Sequence, residues 1–80
     1  MKIIVEGVGP AFKKYVTEAM ENYPNRKFVY LPDEARYITD MVYETEDTKD
    51  DICAEVKEYI KTAGMYGGLM KFRVTIKEQQ

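Results

Sequence analysis

Arg26-Lys27-Phe28-Val29-Tyr30-Leu31-Pro32-Asp33-Glu34-Ala35-Arg36-Tyr37-Ile38-Thr39-Asp40-Met41-Val42-Tyr43-Glu44-Thr45 carries the architecture of this chain. Its two flanks are rich in β-branched and aromatic residues, and Pro32 and Asp33 suit a type I turn. The pattern predicts a hairpin, with one strand over 26–31 and the next over 36–45. Closing it at the Pro32-Asp33-Glu34-Ala35 connection sets Leu31 opposite Arg36, Tyr30 opposite Tyr37 and Val29 opposite Ile38. The same register sets Phe28 opposite Thr39 and Lys27 opposite Asp40. The Lys–Asp and Tyr–Tyr pairs are favourable across a ladder.

N-terminal to the hairpin, residues Lys2–Glu6 read as a strand by their Ile-Ile-Val content, and Gly7-Val8-Gly9-Pro10 breaks it. Pro10 suits a first helical turn, where its missing N–H costs nothing. Phe12, Val16, Ala19, Met20 and Tyr23 then recur at helical spacing until Pro24 and Asn25. C-terminal to the hairpin, Thr48 and Asp51 form an approximate capping box, and the acids around them suit a helix start. Ile52, Val56, Tyr59, Ile60 and Ala63 make the apolar stripe of this second helix, with Gly64 as its C-cap. After the Met65-Tyr66-Gly67-Gly68 loop, Met70, Phe72, Val74 and Ile76 alternate with Lys71, Arg73, Thr75 and Lys77, as in a last strand.

The order is β-α-β-β-α-β. With right-handed crossovers it implies an α+β, ferredoxin-like βαββαβ arrangement, a four-stranded antiparallel sheet with two helices on one face. The chain of 80 residues is expected to form one domain, 1–80.

Two helices cover one sheet face, so the other is open. In the hairpin one face carries Phe28, Tyr30, Tyr37, Met41 and Tyr43. The opposite face carries Val29, Leu31, Ile38 and Val42 with Lys27, Arg36, Asp40 and Glu44. Burying unpaired charge is costly, so the charged side is placed outward. Val29, Leu31, Ile38 and Val42 then form an apolar patch with Lys27 and Asp40 at its rim, the candidate protein interface. The simplest occupant is a second copy of the chain, as a closed homodimer.

Composition excludes much chemistry. The chain has no histidine, no serine, no tryptophan and a single cysteine, Cys53. Ser-His-Asp triads, Cys-His dyads, His-rich metal sites and internal disulfides are therefore ruled out within it. Twelve Lys+Arg against fourteen Asp+Glu give a net charge of −2, which excludes binding nucleic acid through bulk positive charge. The short apolar run after Met1 is not the core of a signal peptide, and no run approaches a membrane span, so a cytoplasmic protein is expected.

Gly7 and Lys13 match a phosphate loop, but Phe12 stands where the second glycine belongs and Lys14 where the hydroxyl belongs. The turn is read as a strand-to-helix connection. Against the signature of RNA-recognition domains the third strand matches at Arg36 and Tyr43, but the glycine is missing and Asp40 would repel phosphate. Glu44, Glu46, Asp47, Asp50 and Asp51 lack calcium-loop spacing and are read as helix-start acids. Cys53 lies near a helix N-terminus, where a thiol pKa tends to fall, but no base accompanies it. Lys71, Arg73 and Lys77, joined by Lys2 on the neighbouring first strand, form the best basic stripe.

The expected function is that of a small non-catalytic protein-binding or self-associating module using the open sheet face. The alternative is a nucleic-acid-binding module acting through Lys2, Lys71, Arg73 and Lys77. A second alternative is a small enzyme or ligand-binding regulatory domain completed at a dimer interface. No cofactor and no metal is expected in any of these readings.

Overall fold

The computed structural model describes residues 1–46 and 51–77. Its elements are β1 (Lys2–Glu6), α1 (Lys13–Glu21), β2 (Val29–Tyr30), β3 (Met41–Glu44), α2 (Ile52–Thr62) and β4 (Arg73–Ile76). The fold is α+β. The four strands form one sheet in the order β2-β3-β1-β4, and every neighbouring pair is antiparallel.

Alternation along the strands assigns the faces. Ile3 and Val5 of β1, Met41 and Tyr43 of β3 and Val74 of β4 share one face. Against them pack Val16 and Met20 of α1 and Ile52, Val56 and Ile60 of α2, in one cluster. Burying each such aliphatic side chain contributes roughly 1.5–3 kcal/mol. The helical stripe read from the sequence is realised in α1, where Val16, Ala19 and Met20 are buried and Tyr23 follows. Pro10 opens this region as a 3-10 turn, Pro10–Phe12, and the α-helix starts only at Lys13. Helix α1 ends before Asn25, which adopts a left-handed φ of 64° that asparagine tolerates.

In α2 the stripe holds for Ile52, Val56 and Ile60, whereas Ala63 is exposed at the C-cap and the glycine comes one position later. The expected Thr48 cap lies outside the described residues. In β4, Val74 is buried and Met70 and Phe72 just before it are buried too, but Ile76 is 47% exposed. Strand β4 is at the sheet edge, so the last inward residue has a neighbour on only one side.

The hairpin register differs from expectation. Tyr30 pairs with Tyr43 and Val29 with Glu44, and β2 and β3 are far shorter than the predicted strands. Lys27 does not face Asp40. The reason lies between the strands. Residues 32–40 do not zip into a ladder but fold into a strap that begins with a 3-10 turn, Pro32–Glu34. Pro32 has no N–H to offer a ladder. The Leu31 amide bonds to the Val42 carbonyl at 2.8 Å, and the Val8 amide bonds to the Thr39 carbonyl at 2.9 Å.

The strap crosses the sheet face away from the helices. Lys2, Ile4 and Glu6 of β1 point to that face, with Val42 and Glu44 of β3 and Arg73 and Thr75 of β4 beside them. Glu34 accepts hydrogen bonds from Lys2 at 2.9 Å and from Lys77, just past β4, at 2.8 Å. Val42 is 1% exposed although it is outside the main cluster, because this strap lies over it. The face that the sequence left open is thus partly roofed by the chain itself.

Candidate functional site

The strap redistributes the residues expected to form a protein interface. Val42 and Asp40 are buried and offer no free contact surface, and Leu31 is half-buried. Val29 (57% exposed), Ile38 (75% exposed) and Lys27 remain at the surface. They do not form one patch, since Val29 pairs with Glu44 at one end of β3 and Ile38 precedes the other end. Lys27 and Val29 instead border an open groove of about 820 Å³ that also touches Arg26, Glu44 and Glu46. Its lining mixes both charge signs and converges on no single chemistry.

Three of the four cations of the basic stripe have acidic partners. Lys2 and Lys77 share Glu34, and Arg73 lies 3.0 Å from Glu6. Lys71 is exposed. The two lysines hold the Glu34 carboxyl below its ordinary pKa, through hydrogen bonds first and charge second. Lys2 and Lys77 hold down the strap and Arg73 ties β4 to β1, so the four do not present a continuous positive stripe.

The other candidates are absorbed by structure. Gly7 has a φ of 81°, and a side chain there would meet the Lys71 carbonyl at 3.3 Å, which explains a glycine without any phosphate. Burial pushes the Cys53 thiol up rather than down, so it is no activated nucleophile. Asp47 and Asp50 of the acidic run lie outside the described residues. Among the described residues no group of three His, Cys, Asp or Glu side chains could hold a metal ion. Nor, among those residues, is any helix long and apolar enough to cross a membrane.

A second polar constellation ties the end of α1 to α2. The Tyr23 hydroxyl donates to Glu55 at 2.6 Å, and Arg26 forms a two-pronged contact with the same carboxylate at 2.7 and 3.1 Å. Burial, then the bond to Glu55, raises the Tyr23 pKa above that of a free tyrosine. Tyr59 and Phe28 pack on the Tyr23 ring, with centroids 4.3 and 5.0 Å away. The phenol is therefore held protonated as a donor, and the arrangement is that of a structural lock.

What the expected interface missed is the loop between α2 and β4. Met65 is 80% exposed, Leu69 72% and Tyr66 48%. They are joined by a tight turn in which the Leu69 amide bonds to the Tyr66 carbonyl at 3.0 Å. The Tyr66 ring rests against Phe12 and Tyr15, with centroids at 6.1 and 5.9 Å. Tyr15 in turn donates to the Ile60 carbonyl at 2.6 Å. Gly67 is buried below, so close to the Ile60 and Lys61 carbonyls that no side chain would fit. The result is a fixed apolar projection on a rigid base. The signal was present in the sequence as Met65-Tyr66-Gly67-Gly68 followed by Leu69, but nothing local says whether such residues turn inward or outward.

No protein-family model, no curated protein and no solved structure matches this chain.

Proposed function

We propose that this chain is a non-catalytic protein-binding module whose contact surface is the projection formed by Met65, Tyr66 and Leu69. The observation that carries this reading is their joint exposure on a turn braced by Phe12, Tyr15 and Gly67. Covering Met65 and Leu69 would supply roughly 1.5–3 kcal/mol each before the costs of association. The contacts that hold the Tyr66 ring and the backbone at Gly67 lower those costs, because less of the loop remains to be ordered on docking. Methionine and tyrosine are also enriched in interfaces, where one adapts its shape and the other offers both an apolar ring and a hydroxyl.

The arrangement is read as ferredoxin-like. The element order, the β2-β3-β1-β4 sheet and the two helices support that reading. A cytoplasmic site of action is part of the proposal, supported by a single cysteine that has no internal partner.

The test compares the wild type with Met65→Asp/Leu69→Asp and with Ile38→Asp as affinity baits. Each retained protein is then purified and its binding to all three measured directly. The proposal expects a partner whose purified form binds the wild type and Ile38→Asp but not the double variant. A partner lost only with Ile38→Asp would move the surface to the strap. Equal binding to all three, or no direct binding to any, would overturn the proposal.

A further inference from the structure

The sheet has two edges, and they are unequal. Strand β2 has only the residues Val29–Tyr30, whereas β4 runs through Arg73–Ile76. Among the described residues no strand pairs with the outer edge of β4. Such an edge is a template for another strand unless something guards it.

The register shows which groups the edge offers. Lys77 donates its amide to the Lys2 carbonyl at 2.9 Å. Hydrogen-bonded pairs alternate along an antiparallel ladder, so Thr75 and Arg73 also direct their amides and carbonyls at β1. Val74 and Ile76 therefore direct theirs outward. A strand added there would bond to Val74 and Ile76, and its side chains opposite Arg73, Thr75 and Lys77 would stand at the closely spaced positions. Arg73 has a side chain 75% exposed and, among the described residues, pairs with Glu6 at the surface, a weak tie. On the helix side of the sheet, Ile76 keeps 47% of its surface exposed.

A second copy fits this edge poorly. Two-fold pairing centred on Val74 sets Lys71 opposite Lys77 of the other copy. Pairing centred on Thr75 sets Arg73 opposite that Lys77. Both registers oppose like charges, which destabilises a ladder, and pairing centred on Ile76, which opposes none, sets no carboxylate opposite Arg73.

We propose that the outer edge of β4 accepts an extended segment of a partner protein as a fifth strand, one that alternates polar residues, a carboxylate facing Arg73 among them, with apolar residues, one of them against Ile76. Main-chain bonds to Val74 and Ile76 supply affinity, and the alternating side chains supply selectivity. This rests on reading the chain as a protein-binding module, but it uses a surface separate from Met65, Tyr66 and Leu69. Met65→Asp/Leu69→Asp should therefore bind the segment as the wild type does.

The experiment titrates the labelled wild-type protein with a synthetic peptide of alternating glutamate and valine, following backbone amide shifts. A lysine–valine peptide and a single-stranded oligothymidylate serve as comparisons. The expected result is saturable movement of the Val74 and Ile76 amides with the glutamate–valine peptide alone. Arg73→Glu should weaken that binding by roughly fivefold or more, from the opposed charge pair it creates. Ile76→Pro removes an outward amide and leaves the bonds to β1 intact, so it should abolish binding. If Ile76→Pro does not fold, Arg73→Glu and the amide map decide the question. No saturable shift at β4, an unchanged affinity in Arg73→Glu, or equal binding of the lysine–valine peptide would overturn the proposal. Preferential binding of the oligothymidylate would overturn it in favour of a nucleic-acid edge.

Discussion

The Glu34 carboxylate, on the strap between β2 and β3, accepts a hydrogen bond at 2.8 Å from the Lys77 ammonium just beyond the end of β4. Lys2 joins the same carboxylate from β1. One acid thereby fastens the strap across two strands, and Val42 lies buried under it.

Glu34→Gln should loosen the strap without unfolding the domain. The Val8 and Leu31 amides, which bond to Thr39 and Val42, should exchange with solvent faster, while those of α2 keep their protection. Acid should act in the same way. The native carboxyl has a pKa below its ordinary value of 4.5, so its contribution is full above that pH, begins to fall below it, and is gone once the pH passes the depressed native value. Hydrogen exchange by nuclear magnetic resonance reads both effects. An unchanged Val8 rate in the variant would show that backbone bonds alone hold the strap.

Alkali should unfold the protein partly through Tyr43. Burial pushes its phenol from 10.0 up to about 12, with the Thr17 side chain opposing. A raised native pKa means that its contribution is complete below pH 10.0 and is lost as the pH climbs through about 12. The gap corresponds to on the order of 3 kcal/mol at most. Denaturant titrations across that range should show a steeper loss for the wild type than for Tyr43→Phe, and parallel curves would contradict this.

Removing the hydroxyl in Tyr23→Phe should cost about 1 kcal/mol, a little below the usual worth of a bond to a charged group because Glu55 is partly exposed. In a domain of this size that lowers Tm by about 5 °C. Glu55→Ala should cost more, because it removes the acceptor of the Tyr23 hydroxyl and also releases Arg26. Thermal denaturation of the two single variants is the check; a Glu55→Ala variant as stable as Tyr23→Phe would argue that the Arg26 contact contributes nothing.

Adjacent glycines should differ sharply. Gly67→Ala forces a methyl against the Ile60 and Lys61 carbonyls and should cost roughly 1–3 kcal/mol. At Gly68 a methyl meets nothing within 4 Å, and Gly68→Ala should stay within about 0.5 kcal/mol of the wild type. Denaturation midpoints compare them directly. Equal midpoints would mean that the loop carrying Met65, Tyr66 and Leu69 can relax, and its bracing would no longer lower the cost of docking.

Periodicity and punctuation in the chain were enough to place both helices, the first and last strands and most of the core. Val16, Met20, Ile52, Val56 and Ile60 are buried where a 3.6-residue stripe puts them, because helical spacing is local and needs no knowledge of distant residues. The hairpin was legible only as far as its apolar content. Tyr30 finds a tyrosine opposite in either register, Tyr37 or Tyr43, so cross-strand matching could not choose between them. The choice came from groups remote in sequence: the Val8 amide taking the Thr39 carbonyl, and Lys2 and Lys77 taking Glu34. The same holds for exposure, since Met65 and Leu69 are as apolar as any core residue, and only the crowding beneath Gly67 turns their loop to the surface. Local pattern specifies an element and its greasy side; which side stays uncovered is settled by long-range contacts, whose free energy depends on every element being in place.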